Sequence, residues 1–575
     1  MKFLFAIVLS FVFVSIKAQI TGTGIPHLEK RNGQTQLVVD GKPFLMLAVE
    51  LHNSATGSAH RMAPVWKQMA NKNINTVLAP VCWELIEPEE GKFDFTQVDN
   101  MIKGAREAGL KLGILWFGSW KNGLSTYVPS WVKQDTRRFP LASFVNGQKV
   151  NMLSTLGRET MEADARAFAA MMSHIKDIDY DHTVILVQVE NEMGALDIAA
   201  AFWGGNNRAM RDYSPAANRA FKGQVPERLT TYLDKHRKTL HPAIRQAWND
   251  NGNKRKGTWK EVFGVGQPCS NSDKWMDEYP YLAEEIFMTW HYATYVEYVA
   301  SKGKQAYPLP MYVNAWLKSS GFKEPGRYPS GGPLPHVFDI WRAAAPSIDF
   351  FAPDIYAIEI FDETCRQYTV GGTPLFIPET TADMEGAARA FYTIGRYGAI
   401  GYSPYGIDRW WLKNDTSYDK AFECLRHLTP YIQPVMGTSR LTGLLIDGDR
   451  KTDRVEMGEY VISIVPHTNN QSMALAGIVT GHNTNRPKSN TAGLLVIEMG
   501  KGDFLLAGFG DMMVNIEKGA RCKADNIGFL TLDEINFTDD GEMLYHRLNG
   551  DEQSMDCSFT DKMEPKVFRA KMYGY

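Results

Sequence analysis

Residues 184–194 read VILVQVENEMG. Four apolar residues lead into a polar tip that carries two carboxylates. Side chains alternate along a strand, so Gln188, Glu190 and Glu192 are expected on one side of the chain. The apolar start has no polar face, which is the texture of a strand covered on both sides within a parallel sheet. A strand of that kind needs neighbours like itself, and its acidic end needs a chemical reason.

Seven further runs have the same character: 43–51 (PFLMLAVEL), 76–83 (TVLAPVCW), 111–117 (KLGILWF), 311–316 (MYVNAW), 347–356 (SIDFFAPDIY), 375–380 (LFIPET) and 399–408 (AIGYSPYGID). Helical periodicity fills the intervals at 64–72, 95–108, 160–177, 281–301 and 387–397. Eight strand-then-helix units with crossover-length connections imply a closed parallel barrel, the (β/α)8 or TIM-barrel form of the α/β class. An open doubly wound sheet is the alternative, but its glycine-rich phosphate turn is missing. The fragment 22–24 (GTG) has no strand before it and no third glycine in place. The stretch 193–310, between the fourth and fifth runs, is a long insertion expected to shape the rim of a site. Beyond residue 437 the runs shorten, as at 460–465 (YVISIV), 472–479 and 504–509, and Gly, Asn and Asp separate them. That pattern reads as a smaller C-terminal β-sandwich. The expected organisation is a signal peptide at 1–18, the barrel at 19–436 and the sandwich at 437–575.

The signal peptide follows from MKFLFAIVLSFVFVSIKAQ: a Lys at position 2, a short apolar core, and Ala18 before the expected cut. The core is too short to span a bilayer comfortably, and no later run is longer. An exported protein, periplasmic or secreted, with no membrane span after cleavage is expected. A formal net charge of -3 gives no basic surplus for nucleic acid, and 44% hydrophobic residues suit a folded core. Six cysteines without a C-x-x-C do not make a disulfide scaffold, though Cys522 and Cys557 are near enough in sequence to pair. Thirteen histidines show no H-E-x-x-H and no clustered Cys/His spacing, so no metal site of the zinc type is expected.

Barrels of this class do their chemistry where the strands end. The fourth run ends in Glu190-Asn191-Glu192, and the seventh in Pro378-Glu379-Thr380. Two carboxylates facing across a barrel mouth are the machinery of glycoside hydrolysis: one protonates the leaving oxygen, the other attacks the sugar carbon. Tryptophans near strand ends, namely Trp83, Trp116, Trp120, Trp316 and Trp410, are candidate platforms for sugar faces, and each is equally a candidate core residue. Glu50, His52 and Asn53, at the end of the first run, are candidates for binding sugar hydroxyls.

QVENEMG resembles the signature of glycoside hydrolase family 35, the β-galactosidases. APVCWELIEPEEGKFDF (79–95) looks like that family's second-strand motif, and AVELHNSA (48–55) like its first strand. YSPAAN and GYSPYGID resemble a bacterial branch with its own C-terminal β domain. The resemblance implies that Glu192 is the acid/base, Glu379 the nucleophile, Asn191 a partner of the sugar 2-hydroxyl and Tyr356 a phenol touching the nucleophile. Simple alternation sets Asn191 and Glu192 on opposite sides, so both reach one substrate only if the pleat breaks at the strand tip. Glu190 is then a structural carboxylate lower in the barrel, in need of a partner. The family's usual acid after the third strand is missing from WFGSWKNG, where Lys121 or Asn122 stands in. The implied activity is an exported, retaining, exo-acting β-galactosidase with a carbohydrate substrate and no cofactor. A related barrel hydrolase acting on a β-glucoside or arabinoside, and a non-catalytic sugar-binding barrel, stay open. So do three roles for the C-terminal domain: sugar binding, completing the pocket's edge, or mediating homo-oligomers.

Overall fold

The structure is a computed structural model that describes residues 24–194, 211–265, 283–318, 328–408, 417–466, 491–550 and 564–575, with 552, 558 and 559. The expected signal peptide, the run at 472–479, Trp410 and Cys557 lie outside the described residues. All eight apolar runs form parallel strands: β1 (Met46–Glu50), β2 (Thr76–Cys82), β3 (Lys111–Lys121), β4 (Val184–Asn191), β5 (Met311–Trp316), β6 (Phe350–Asp354), β7 (Phe376–Ile377) and β8 (Gly401–Tyr402). The sheet order is β6-β5-β4-β3-β2-β1-β8-β7. A parallel bridge between Ile355 and Thr380, with the Ile355 N–H donating to the Glu379 carbonyl at 2.9 Å, joins the two ends. The chain therefore forms a (β/α)8 barrel. The last closing contact lies at Glu379 itself.

A helix follows each strand: α1 (Ala59–Met69), α2 (Thr96–Glu107), α3 (Arg158–Ile178), α4 (Ala283–Ala306), α5 (Phe338–Ala344), α6 (Phe361–Tyr368), α7 (Met384–Tyr397) and α8 (Ser417–Ile432). Strand alternation divides the apolar residues into two cores. Val77, Ile114, Val187 and Val189 face the helices, while Met46, Ala48, Leu78, Leu186, Tyr312, Phe350 and Phe376 fill the barrel. Each fully buried large side chain contributes ~1.5–3 kcal/mol. An N-terminal meander of three antiparallel strands adds Leu37 and Val39 to the interior cluster, at the end where the strands begin. The interior is thus apolar at its N-terminal end and turns ionic where the strands end. Four helices of the long insertion, Pro215–Phe221, Glu227–Lys235, Pro242–Asp250 and Trp259–Phe263, belong to the outer layer, where Trp259 packs edge-on against Phe287 of α4. The insertion's segments 195–210 and 266–282 lie outside the described residues.

The C-terminal strands form two antiparallel sheets. One has β9 (Leu441–Ile446), β12 (Ala492–Gly500), β13 (Asp503–Gly510), β15 (Ile527–Phe537), β16 (Met543–Leu548) and β18 (Lys566–Gly574), in the order β9-β12-β13-β18-β15-β16. The other has β10 (Asp453–Met457), β11 (Tyr460–Val465), β14 (Met512–Lys518) and β17 (Ser558–Phe559). The six-stranded sheet is apolar on both faces. Leu495, Ile497, Leu505 and Ala507 join the barrel's outer core, and Leu494, Val496, Phe504 and Leu506 join the core between the sheets. Gly493 permits the approach to α7: a Cβ there would stand 1.9 Å from the Ala388 carbonyl oxygen.

Candidate active site

The tip of β4 is built by an irregularity in its neighbour. The β3–β4 register shifts between Trp116 and Lys121, and the looped-out part of β3 presents the amides of Ser119 and Trp120 to Glu190 at 3.1 and 2.8 Å. Glu190 and Glu192 both have left-handed backbones, with φ of 61° and 45°. Side chains with a Cβ adopt that conformation at a cost of ~1–3 kcal/mol each. The pleat breaks at the position where alternation would forbid Asn191 and Glu192 from facing one another's partners. Lys121 shows the result: its Nζ donates to Asn191 Oδ1 at 2.8 Å and stands 3.9 Å from Glu192 Oε2.

Glu190 leaves that side altogether, which corrects the alternation reading. It turns out of the barrel towards Asp164 of α3, whose other partners are Trp116 Nε1, Ser119 Oγ and Tyr295 of α4. Burial, then the Asp164 charge, pushes the Glu190 carboxyl well above the usual range, so the two acids share a proton. The partner that a buried Glu190 requires is therefore Asp164, outside the barrel wall.

Inside the mouth, Glu192, Asp354 and Glu379 place one carboxyl oxygen each within 4.8 Å of the others. Glu192 is 6% and Glu379 4% exposed. Asn314 of β5 ties the group together. Its Oδ1 accepts the Glu192 N–H at 2.9 Å, which orients the amide, and its Nδ2 donates to Asp354 Oδ2 at 2.8 Å and to Glu379 Oε1 at 3.4 Å. Tyr356 donates its hydroxyl to Glu379 Oε2 at 2.8 Å. Glu50 points inward beneath Glu379. Neither of its oxygens meets an N–H or O–H donor, and its carboxyl is within hydrogen-bonding reach of Glu379. It belongs to the floor of the carboxylate cluster.

The electrostatics follow from burial and crowding. Burial first, then the Glu379 charge, pushes Glu192 up to about 7, against the pull of Lys121 and a hydrogen bond from Asp354. Burial and the neighbouring carboxylates hold Glu50 and Asp354 well above the usual carboxylate range. Burial opposes the charge on Lys121, but Glu379, Glu192 and Glu50 outweigh it and raise its pKa. The acidic trio is compact enough for a divalent cation on distance alone. The Lys121 ammonium lies beside it, 3.9 Å from Glu192 Oε2, and burial with the neighbouring carboxylates pushes Asp354 towards its protonated form.

The remaining candidates divide. His52 donates from its backbone and from Nδ1 to Asp408 Oδ1, both at 2.8 Å, and its ring lies 5.3 Å from that of Tyr405, whose hydroxyl reaches Asn53 at 3.4 Å. His52, Asn53, Tyr405 and Asp408 thus form a polar group at the ends of β1 and β8. Trp316 is half-buried at the tip of β5, in register with Asp354. Trp83 and Trp120 are corrected to core residues. Trp83 is sealed in the outer layer with Nε1 on Glu87, and Trp120 packs against Tyr292 and Tyr295 with Nε1 on the Leu153 carbonyl. Trp116 is likewise sealed outside the barrel. Asn314, Asp354 and Tyr405 went unassigned from sequence. Asp354 stands two residues before Tyr356, so the strand-tip question asked of every run would have found it. A cavity of about 730 Å³ lies elsewhere, on the outer layer between α1 and α2 beside Trp66 and Met101, and none of Glu50, Glu192, Asp354 and Glu379 lines it.

A family model described as beta-galactosidase, that of glycoside hydrolase family 42, matches residues 55–248. A second, described as a domain of unknown function (DUF5597), matches residues 418–560. A beta-galactosidase of Xanthomonas manihotis is 29% identical over 189 residues, 31% of this chain and 28% of that protein. Beta-galactosidase-1-like protein 3 of Homo sapiens is 29% identical over 195 residues, 32% of this chain and 26% of that protein. The chain thus spans little more than a quarter of the length of these curated relatives. Among solved structures, the cold-adapted beta-galactosidase of Rahnella sp. R3 aligns with a TM-score of 0.44 and 14% identity, over 68% of this chain and 57% of that one. The catalytic domain of a beta-amylase from Paenibacillus polymyxa aligns with a TM-score of 0.43 and 13% identity, over 63% and 92%. The first half of the barrel, including Lys121, Asn191 and Glu192, is thus similar in sequence to beta-galactosidases; the matched stretch ends before Asn314, Asp354 and Glu379.

Proposed function

We propose that this protein is an exported, retaining, exo-acting β-galactosidase of the family 35 type, with Glu192 as acid/base and Glu379 as nucleophile. The observation that carries the reading is the approach of Glu192 and Glu379 oxygens to within 4.8 Å at the mouth of a closed barrel. Retaining enzymes set their two carboxyl groups ~5–5.5 Å apart and inverting ones ~6.5–9.5 Å to admit water; nearest oxygens this close favour the former. Their environments also separate the two roles. Glu192, pushed up to about 7, holds a proton in the range where it is needed. Glu379 accepts hydrogen bonds from Tyr356 and Asn314, which fix the orientation of its carboxyl group.

In the first step Glu379 attacks the anomeric carbon. The bond to the leaving oxygen breaks, and the Glu192 proton passes to that oxygen. Esterification removes the Glu379 charge that helped hold the proton on Glu192, so Glu192 is left as a base. In the second step it takes a proton from water, the water oxygen bonds to the anomeric carbon, and the ester to Glu379 breaks. Asn191 is oriented for the sugar 2-hydroxyl. Lys121 occupies its Oδ1, so Nδ2, buried and without a protein acceptor, is the group left to donate. Trp316, His52, Asn53 and Tyr405 supply the edge of the sugar pocket. Lys121 at the end of β3 favours a second reading, in which the sugar is another β-glycoside such as a glucoside or arabinoside.

The test uses protein recovered from the periplasm or medium, whose N-terminal sequence is expected to begin at Gln19. It is assayed on a panel of nitrophenyl glycosides, with NMR of the first-formed anomer. The β-galactoside is expected to turn over fastest and to give the β anomer. Glu192→Gln should lose ~10²–10⁴-fold in rate, and Glu379→Gln should leave only a trace. Release of the α anomer, or full activity in either variant, defeats the assignment. Preference for another β-glycoside selects the second reading, and oligosaccharide binding without cleavage of any glycoside selects a sugar-binding barrel.

A further inference from the structure

We propose that Asp354 is a neutral acid that donates a hydrogen bond to Glu192, positioning it and steadying its carboxylate once its proton has gone to the leaving group. The proposal rests on the reading of Glu192 as the proton donor. Asp354 ends β6 and is 1% exposed. Its Oδ2 accepts from Asn314 Nδ2 at 2.8 Å, and Asn314 cannot turn over, because its Oδ1 is held by the Glu192 N–H. Asp354 Oδ1 is buried and meets no N–H or O–H donor. An anion there would have no donor but the proton on Glu192 and would stand among other carboxylates, a costly form of burial. With a proton on Oδ1 the arrangement becomes complementary: Asn314 donates to one oxygen, and the other is left to donate to Glu192, whose carboxyl lies within 4.8 Å of that of Asp354.

The charges facing this pair agree. Glu192 faces Glu379 from β7 and Lys121 from β3, and Asp354 faces Glu379, Glu192 and Glu50 of β1. The hydroxyls of Tyr312, Tyr356 and Tyr368 feel the Asp354 charge, though Tyr356 donates to Glu379 and Tyr368 to the Pro333 carbonyl, and Tyr405 feels Lys121 and Glu379. Lys121 faces the cluster and hydrogen-bonds Asn191, with Glu192 Oε2 at 3.9 Å. Crowded acids that cannot all ionise keep protons on the most enclosed members. Asp354 is such a member, and burial pushes its carboxyl in the required direction. No proton leaves Asp354 in this scheme. The O–H bond that breaks is on Glu192, and the new carboxylate accepts the Asp354 hydroxyl. Asp354 is thus a positioning residue that acts through Glu192.

The sign of one measurement decides it. A neutral donor lowers the pKa of Glu192, whereas an ionised neighbour raises it. Asp354→Asn keeps an N–H for Glu192 and an oxygen for Asn314. The alkaline limb of kcat/KM against pH should therefore stay within ~0.5 unit and kcat within ~10-fold of wild type. Asp354→Ala removes the donor, so that limb should move up by ~1 unit. If Asp354 is ionised, both variants delete a negative charge and the limb moves down by ~1 unit or more, which overturns the proposal. Should Asp354→Ala fail to fold, Asp354→Asn decides alone. Infrared difference spectra of wild type against Asp354→Asn at pH 7 need no turnover. Loss of a protonated-carboxyl stretch supports the proposal and loss of a carboxylate stretch sinks it, even if no glycoside is cleaved and the functional reading falls.

Discussion

Glu192 joins function to stability through a single proton. In the unfolded chain its carboxyl titrates near the ordinary 4.5, and in the folded protein near 7. Between those values the folded protein holds a proton that the unfolded chain has released. The native state therefore loses stability as pH rises through the window, and the contribution is fully present only below it. A shift of that size corresponds to of order 3 kcal/mol. Glu192→Gln removes the titration, so we expect its melting temperature to exceed that of wild type at pH 8 and the advantage to vanish near pH 4. A variant less stable than wild type at both pH values would mean that Glu192 is not held against its ionisation. On the proposed reading of Glu192 as proton donor, the same crowding that costs stability keeps the proton available for a leaving group, a trade common at catalytic sites.

At the scale of the element, the tip of β4 stores strain that its surroundings offset. Glu190 and Glu192 occupy left-handed conformations on either side of Asn191. What holds Glu190 there is the pair of amides from the β3 bulge and the proton shared with Asp164. Glu190→Ala orphans those amides and leaves Asp164 buried without its partner, which should cost ~3–5 kcal/mol in denaturant unfolding. It should also lower kcat, because the pleat that aims Glu192 relaxes. Glu190→Gln keeps an acceptor for the amides and should cost less than half as much. Equal losses in the two variants would show that volume, not hydrogen bonding, sets the tip. The eight strands could be read from sequence because a strand buried on both faces must be apolar on both faces. Glu190 could not be placed that way, since alternation assumes a regular pleat and nothing in the composition of β3 announces a bulge. Trp83 and Trp120 misled for a different reason: a tryptophan under a helix and one under a sugar satisfy the same apolar pattern. Asp354 and Asn314 were in plain view at the ends of their runs, but only their convergence in space shows what they do.

At the scale of the molecule, the question is whether barrel and sandwich are two folding units or one. The six-stranded sheet turns one apolar face to α7, and its residues merge with the barrel's outer core. Arg389 of α7 is 3% exposed and donates from Nε to Asp447 at 2.7 Å, while Thr491 closes the same carboxylate from β12's side at 2.9 Å. An ion pair so enclosed is strongly destabilising when one partner is lost, by ~3–5 kcal/mol. Gly395, Gly443 and Gly493 let backbone meet backbone: a Cβ at Gly443 would stand 2.4 Å from the Tyr392 carbonyl oxygen. A boundary with this much shared core and no slack should not melt in parts. We expect a single calorimetric transition for the whole protein, whose temperature falls in Arg389→Ala. Gly493→Val, which forces the sheet off α7, should split it in two. Two transitions in the wild type, or one unshifted transition in Gly493→Val, would mean that the sheet merely rests on the barrel. The β7–α7 segment that carries Glu379 would then owe nothing to the domain behind it.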